Sequence, residues 1–171
     1  MKVSSLQLAS FLTRNCASVI IVYIHDTEGV MRRSASHCFC INLRRAAGAI
    51  SDFYDRALSE AQLTTSQFSL MRTLSRLQPC TVTALAQEMG LERTTLVRTM
   101  KPLSERGLIA DLAAAKSRNS LLSLTEDGVA VMDCAAVLWE GAQSSVRAHM
   151  GEAKMAELLR LLNELEEFTA Q

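Results

Sequence analysis

The sequence predicts a mostly helical fold that carries one short two-stranded hairpin. Two prolines and seven glycines in 171 residues leave few helix breakers, and residue types that favour helices are frequent. From Cys40 onward, apolar residues recur at steps of three and four, which is the period of an amphipathic helix. Between Gly107 and Thr125 this period gives way to two short apolar runs around a polar tip, as in a hairpin.

The composition is that of a folded domain of ordinary size. With 49% hydrophobic and 21% charged residues, the chain resembles neither disordered nor collagen-like proteins. Residues 1–35 are predicted to form an N-terminal extension outside the fold, although their Val and Ile content also permits a short strand. The apolar run at 16–24 is shorter than the roughly 20 residues of a membrane-spanning helix. Five irregularly spaced cysteines argue against a disulfide framework and favour a reducing cytoplasm.

Two helices are predicted at the start of the folded part. The first covers residues 36–61, and the second covers residues 65–77. Thr64 and Gln67 have the spacing of a capping box, and Pro79 stops the second helix. The apolar stripe of the first helix consists of Cys40, Leu43, Ala47, Ile50, Tyr54 and Leu58.

Two shorter helices and a hairpin follow. The residues suited to cap or end these elements are Thr81, Gly90, Gly107 and Thr125. Residues 108–110 and 121–125 are predicted as strands, and the tip between them contains Lys116 and Arg118. Two helices joined at a glycine turn and followed by a basic hairpin are typical of a winged helix-turn-helix.

The second of these short helices is predicted to have one buried face and one cationic face. Its apolar residues fall within a narrow arc and are Leu96, Met100 and Leu103. Thr94, Arg98 and Lys101 fall on the opposite side. Cations beside small hydroxylated residues suit contacts with phosphates and with base edges in a DNA groove.

Charge is distributed unevenly, although the formal net charge is zero. Residues 93–118 contain six basic and two acidic residues, whereas residues 119–171 contain three basic and nine acidic residues. Only the first stretch could face a polyanion. Exposed cations are also common on ordinary solvated surfaces, so charge alone does not decide the function.

The C-terminal part is predicted to form two helices separated at Gly151. The last helix carries an apolar face too wide to remain in water. That face consists of Met155, Leu158, Leu159, Leu161, Leu162, Leu165 and Phe168. It requires either a core within the chain or a second copy of the chain.

The residues at 81–98 (TVTALAQEMGLERTTLVR), 106–109 (RGLI) and 121–128 (LLSLTEDG) resemble the MarR family of bacterial transcription regulators. The resemblance extends over about residues 38–169. It implies a homodimeric repressor that binds double-stranded DNA at a pseudo-palindromic operator and is released by a small, often aromatic effector. It also implies a helical dimerisation region, 36–64 and 126–171, around a winged helix-turn-helix DNA-binding domain, 65–125.

The resemblance assigns DNA-binding roles to residues of the recognition helix and the wing. Those in the helix are Arg93, Thr94, Thr95, Arg98 and Lys101, and the wing residue is Arg118. Where the family usually has an aspartate that pairs with the wing arginine, this chain has Lys116. The departure implies a looser and more cationic wing.

Cys40 occupies a position similar to the peroxide-sensing cysteine of one branch of the family. Of the three tyrosines around the sensing thiol there, only Tyr54 matches, and Arg44 and Thr65 occupy the other two positions. Cys40 is therefore a candidate redox sensor. The alternative is that it packs as a small hydrophobic residue, which is common for free cysteines.

The sequence does not predict an enzyme, a cofactor or a metal site. His37, Cys38 and Cys40 would diverge on a helix, and no second cluster completes a set of four metal ligands. The sequence contains neither a triad arrangement nor a Gly-rich phosphate loop. The alternative to a DNA-binding regulator is a winged-helix module that binds other proteins.

Overall fold

The computed structural model describes residues 36–113 and 120–169. The predicted extension, residues 1–35, lies outside this part of the chain. The elements, in chain order, are α1 (Phe39–Ala57), a 3-10 turn (Ser59–Ala61), α2 (Thr65–Leu77), α3 (Val82–Glu88), α4 (Arg93–Glu105), β1 (Ile109–Asp111), β2 (Leu122–Leu124), α5 (Glu126–Met150) and α6 (Glu152–Thr169). This order confirms the predicted fold class, a mostly helical winged helix-turn-helix.

The first helix is shorter than predicted. It begins at Phe39 and ends at Ala57, and the 3-10 turn leads to Gln62, whose φ of 53° places it in the left-handed region. The buried side chains of Leu58, Ala61 and Leu63 hold this turn against the core. Because this turn is buried, α1 ends at Ala57, one residue before Leu58, the last member of its apolar stripe.

The predicted capping residues all cap helices. Thr64 and Gln67 form a complete capping box, in which the Gln67 amide donates to the Thr64 hydroxyl and the Thr64 amide donates to Gln67 Oε1. The Thr81 and Thr125 hydroxyls accept from backbone amides in the first turns of α3 and α5. Gly90 has a φ of 62°, a conformation that glycine adopts without steric cost.

A hydrophobic core lies where α2, α3 and α4 meet the small sheet. Its largest fully buried side chains are Leu58, Leu70, Met71, Leu74, Leu85, Leu96 and Leu103. Six of the seven come from the winged-helix region, which we define as residues 65–125. This region therefore supplies most of the core, which the turn after α1 and residues of α5 complete.

The two strands pair in antiparallel register, with Ile109 opposite Leu124 and Asp111 opposite Leu122. Cys80 extends the sheet by a bridge to Leu122, in which each residue's amide donates to the other's carbonyl, at 3.1 and 2.8 Å. The Gln78 side chain accepts a hydrogen bond from the Leu124 amide at 2.8 Å. The segment before α3 thus fixes the strands at the base of the wing.

The junction between the wing and α5 requires glycine at position 128. A Cβ at that position would overlap the Leu108 carbonyl oxygen. The Thr125 hydroxyl also donates to the Gly107 carbonyl, at 2.7 Å. Hydrogen bonding and close backbone approach together set the direction in which α5 leaves the wing.

The terminal helices leave their apolar faces largely uncovered. Helix α1 has no buried residue although it packs against α5, and α6 contacts α5. Large exposed side chains on α1 and α6 are Phe39, Ile41, Ile50, Leu158, Leu159, Leu161 and Phe168. Within the described residues, no helix has the length and apolar character needed to cross a membrane.

Candidate nucleic-acid interface

Helix α4 separates a buried face from an exposed polar face, as the sequence predicts. Leu96 and Leu103 are completely buried and Met100 is partly buried. The five residues of α4 to which the sequence assigns DNA contacts are all exposed, namely Arg93, Thr94, Thr95, Arg98 and Lys101. The helical period places Thr94, Arg98 and Lys101 at the centre of the exposed face and the other two at its edges.

The cations on this face have weak partners within the protein. Lys101 Nζ lies 3.8 Å from Glu105 Oε1, and both side chains are well exposed. An ion pair of this kind is worth little in water and can exchange for another anion. Among the described residues, neither Arg93 nor Arg98 forms an ion pair. The face is thus available to an external polyanion.

Val97 belongs to the same face, although the sequence did not predict a role for it. Its exposed fraction is 42%, which makes it the only large hydrophobic residue of α4 that is exposed. It follows Arg93 by one helical turn, so the two residues are neighbours on the surface. On a helical projection, Val97 lies away from the apolar arc of Leu96 and Leu103, and this separation could have predicted its exposure.

Arg106 differs from the other basic residues of the 93–118 stretch. It directly follows α4, and its guanidinium donates to the Gln62 carbonyl at 2.6 Å and to the Ala61 carbonyl at 3.4 Å. This cation therefore points to the turn after α1. The charge pattern of the sequence groups Arg106 with the cations that could face phosphates. Its hydrogen bonds to carbonyls of the protein do not fit that grouping.

The base of the wing is held by the carboxylate of Asp111. Its Oδ1 accepts from the Ala113 amide at 3.0 Å and from the Leu121 amide at 2.8 Å, across the two sides of the hairpin. The bond from Ala113, with those from the Ser120 side chain and from Leu121, lowers the pKa of Asp111. The wing tip with Lys116 and Arg118 lies outside the described residues.

The structure leaves Cys40 exposed in the first turn of α1. Tyr54 lies 14 residues further along the same helix, which is about 21 Å at 1.5 Å per residue. These two side chains therefore do not meet within one chain. Cys38 is the extended N-cap residue of α1, outside the helix.

Aromatic side chains cluster at the boundary between the winged-helix region and α5. The rings of Phe68 and Trp139 have centroids 6.0 Å apart, and the Arg72 guanidinium lies 4.6 Å from the Trp139 ring centroid. On α1, burial raises the pKa of Tyr54, and Arg147 partly opposes that rise. Among the described residues, no group of three or more His, Cys, Asp and Glu is placed to hold a metal ion.

The fold and this exposed helix define a winged helix-turn-helix protein. The model of the MarR family matches residues 63–115, which include α2, α3, α4 and β1. The structure of the M. tuberculosis transcriptional regulator MosR in complex with DNA is 34% identical, with 78% of this chain and 99% of that chain aligned and a TM-score of 0.65. The chain belongs to the MarR family of transcriptional regulators.

Two less similar solved structures share the fold. Bordetella bronchiseptica BpsR, whose DNA binding is regulated by 6-hydroxynicotinic acid, is 22% identical, with 79% of this chain and 98% of that chain aligned and a TM-score of 0.67. The S. aureus MepR–DNA complex is 14% identical, with 77% and 98% aligned and the same TM-score. At these identities the likeness is one of fold.

Proposed function

We propose that the protein is a sequence-specific regulator of transcription, a repressor that binds double-stranded DNA. The observation that carries this proposal is the exposed face of α4, which includes Thr94, Arg98 and Lys101. The opposite face of the helix is fixed in the core by Leu96 and Leu103. A helix of this kind fits the major groove. MosR, the 34% identical relative, is known in complex with DNA.

Each side chain has a role that follows from its chemistry. Arg98 can donate two hydrogen bonds to guanine O6 and N7, and Lys101 can contact a phosphate once it leaves Glu105. Thr94, Thr95 and Arg93 would complete the contacts of the helix. Arg118 would enter the adjacent minor groove from the wing tip, as arginines on narrow hairpins do.

The exposed face of α4 would bind DNA in a homodimer. The uncovered apolar residues of α1 and α6 are too extensive for helices in water, and a second copy would cover them. Two recognition helices related by a two-fold axis would then meet a pseudo-palindromic operator, with half-sites about 34–36 Å apart. The site of action would be the cytoplasm.

Release from DNA would come from a small aromatic effector. The aromatic cluster of Phe68 and Trp139, with Arg72 against it, lies between the winged-helix region and α5. A ligand that shifted these elements would change the spacing of the recognition helices and oppose simultaneous docking. Oxidation of the exposed Cys40 is the second route.

The test begins with selection of bound sequences from a random duplex pool. An inverted repeat is expected, and a protein that retains no duplex at low salt would support the alternative, a protein-binding module. With the recovered duplex, Arg98→Ala should reduce discrimination at one base position by about 1–3 kcal/mol. Arg118→Ala should weaken binding to all sequences and reduce the salt dependence by about one charge.

A matched control is available on α6. Arg160 pairs with Glu157 and Glu164, so Arg160→Ala removes the same charge from an exposed site far along the chain from α4. Its binding curve should match that of the unmodified protein. Equal losses in all three variants would mean that the effect reflects total charge, which contradicts the assigned contacts.

A further inference from the structure

Arg106 forms a direct link between two parts of the fold that are distant in sequence. Its two hydrogen bonds join residues 44 and 45 positions apart, from the end of α4 to the turn that follows α1. Gly107 follows at once with a φ of 72°, and β1 begins two residues later. The link thus lies where the recognition helix passes into the wing.

The acceptors are carbonyls of a fixed turn. Gln62 is held in the left-handed region, and the neighbouring Ala61 and Leu63 side chains are buried in the core. The Gln62 amide itself donates to the Ser59 carbonyl at 2.9 Å. Because the turn cannot move without disturbing the core, Arg106 holds the end of α4 against a rigid support.

The geometry requires a guanidinium. Two nitrogens of one planar group reach two successive carbonyls, which a single ammonium on a flexible stem does not reproduce. The acceptors are uncharged, so the bonds do not depend on neutralising a carboxylate. A cation used in this way is oriented toward the protein and not toward a phosphate.

We propose that Arg106 is a positioning residue, which fixes the recognition helix and the base of the wing relative to the end of α1. This inference rests on the proposed function, because its consequence is a change in DNA affinity. In the dimer, a movement of α1 would be transmitted to α4 through the hydrogen bonds of Arg106. Arg106 makes its contribution without touching DNA.

The experiment compares Arg106→Lys and Arg106→Ala with Lys101→Ala on one operator duplex, by fluorescence anisotropy at several salt concentrations. Both Arg106 variants should weaken binding about tenfold, because loss of hydrogen bonds from a charged donor carries that magnitude. The slope of log affinity against log salt should stay unchanged. Lys101→Ala should instead reduce that slope by about one charge.

Two results would overturn the inference. If Arg106→Lys binds as tightly as the unmodified protein while Arg106→Ala loses salt dependence, then Arg106 contacts a phosphate. If both variants bind normally, the link does not position α4. Light scattering of Arg106→Lys should give the mass of the unmodified protein, and its thermal unfolding should remain a single cooperative transition, which excludes loss of the dimer or of the fold as the cause.

A separate readout distinguishes failure of this inference from failure of the proposed function. Amide hydrogen exchange in residues 59–63 and 103–111 should increase in both Arg106 variants and remain unchanged in Lys101→Ala. If the unmodified protein binds no duplex, the proposed function fails, and this measurement still decides whether Arg106 fixes the two segments. Unchanged exchange in the Arg106 variants would contradict the link itself.

Discussion

The winged-helix region and the terminal helices are stabilised in different ways. Within the winged-helix region, residues such as Leu70, Leu74 and Leu85 are completely buried. Helix α1 has no buried residue, and the exposed fractions of Leu161 and Phe168 on α6 are 47% and 72%. One region has a core that is closed within the chain, and the other leaves apolar faces that the proposed dimer would cover.

The comparison shows that the same sequence pattern can have two structural outcomes. Apolar steps of three and four residues occur in α1, α2 and α6 alike. In α2 the stripe meets α4, α3 and the sheet within the chain, whereas in α1 and α6 most of it is left exposed by the residues that the structure describes. Periodicity identifies the face that must be covered, and packing determines what covers it.

The largest effect is expected from a cavity in the closed core. Leu74→Ala should lower the free energy of unfolding by about 2–5 kcal/mol, because it removes a completely buried side chain from α2. Urea unfolding followed by circular dichroism measures the loss, and light scattering should show an unchanged mass. Ser69→Ala, at an exposed position of the same helix, should change stability by no more than about 0.5 kcal/mol. Similar losses for both variants would contradict the description of a closed core.

A charge on the uncovered face of α6 should act on association instead of on the core. Leu161→Asp should weaken the dimer by about 2 kcal/mol, which is about 30-fold in the dissociation constant, since a carboxylate would be buried between the chains. Sedimentation equilibrium over a dilution series measures this constant. Asn163→Asp adds the same charge at an exposed polar position and should leave the mass unchanged. A monomeric unmodified protein, or equal dissociation in both variants, would contradict the proposed role of this face.

Local signals in the sequence predicted much of the fold and one face of the site. Thr64, Thr81 and Thr125 cap helices through amides three residues away, so the pattern that identifies them lies within a few residues. The exposed face of α4 follows from the same short-range period. Each of these features depends on neighbours along the chain and not on the tertiary arrangement.

Contacts between distant segments were not predictable in this way. The hydrogen bond between Gln78 and Leu124 spans 46 residues, and Arg106 reaches Gln62 across 44. No spacing rule connects such pairs, because their proximity depends on how the helices pack. Charge patterning therefore grouped Arg106 with the cations of the exposed face, although its contacts are internal.

The smallest effect is expected from protonation of Asp111 in the wing. Hydrogen bonds to this carboxylate stabilise the wing, whereas burial of apolar side chains stabilises the core. The pKa of Asp111 is lowered mainly by the Ala113 amide. A carboxyl with a lowered folded pKa contributes stability that is fully present above its unfolded pKa and is lost as pH falls through the folded value. The contribution of Asp111 should therefore be constant near neutral pH and disappear only below the usual range of aspartate.

Nuclear magnetic resonance can follow this loss directly. The amide protons of Ala113 and Leu121, which both bond to Asp111, should shift together during acid titration, with one midpoint below the usual pKa of 3.8. Asp111→Asn should remove that shared transition, while the signals of buried Leu74 remain in place, because the core does not depend on this carboxylate. A midpoint at the ordinary aspartate value, or separate midpoints for the two amides, would show that Asp111 does not hold the two sides of the hairpin together. The wing would then depend for its shape on the register between Ile109 and Leu124 and on the bridge from Cys80.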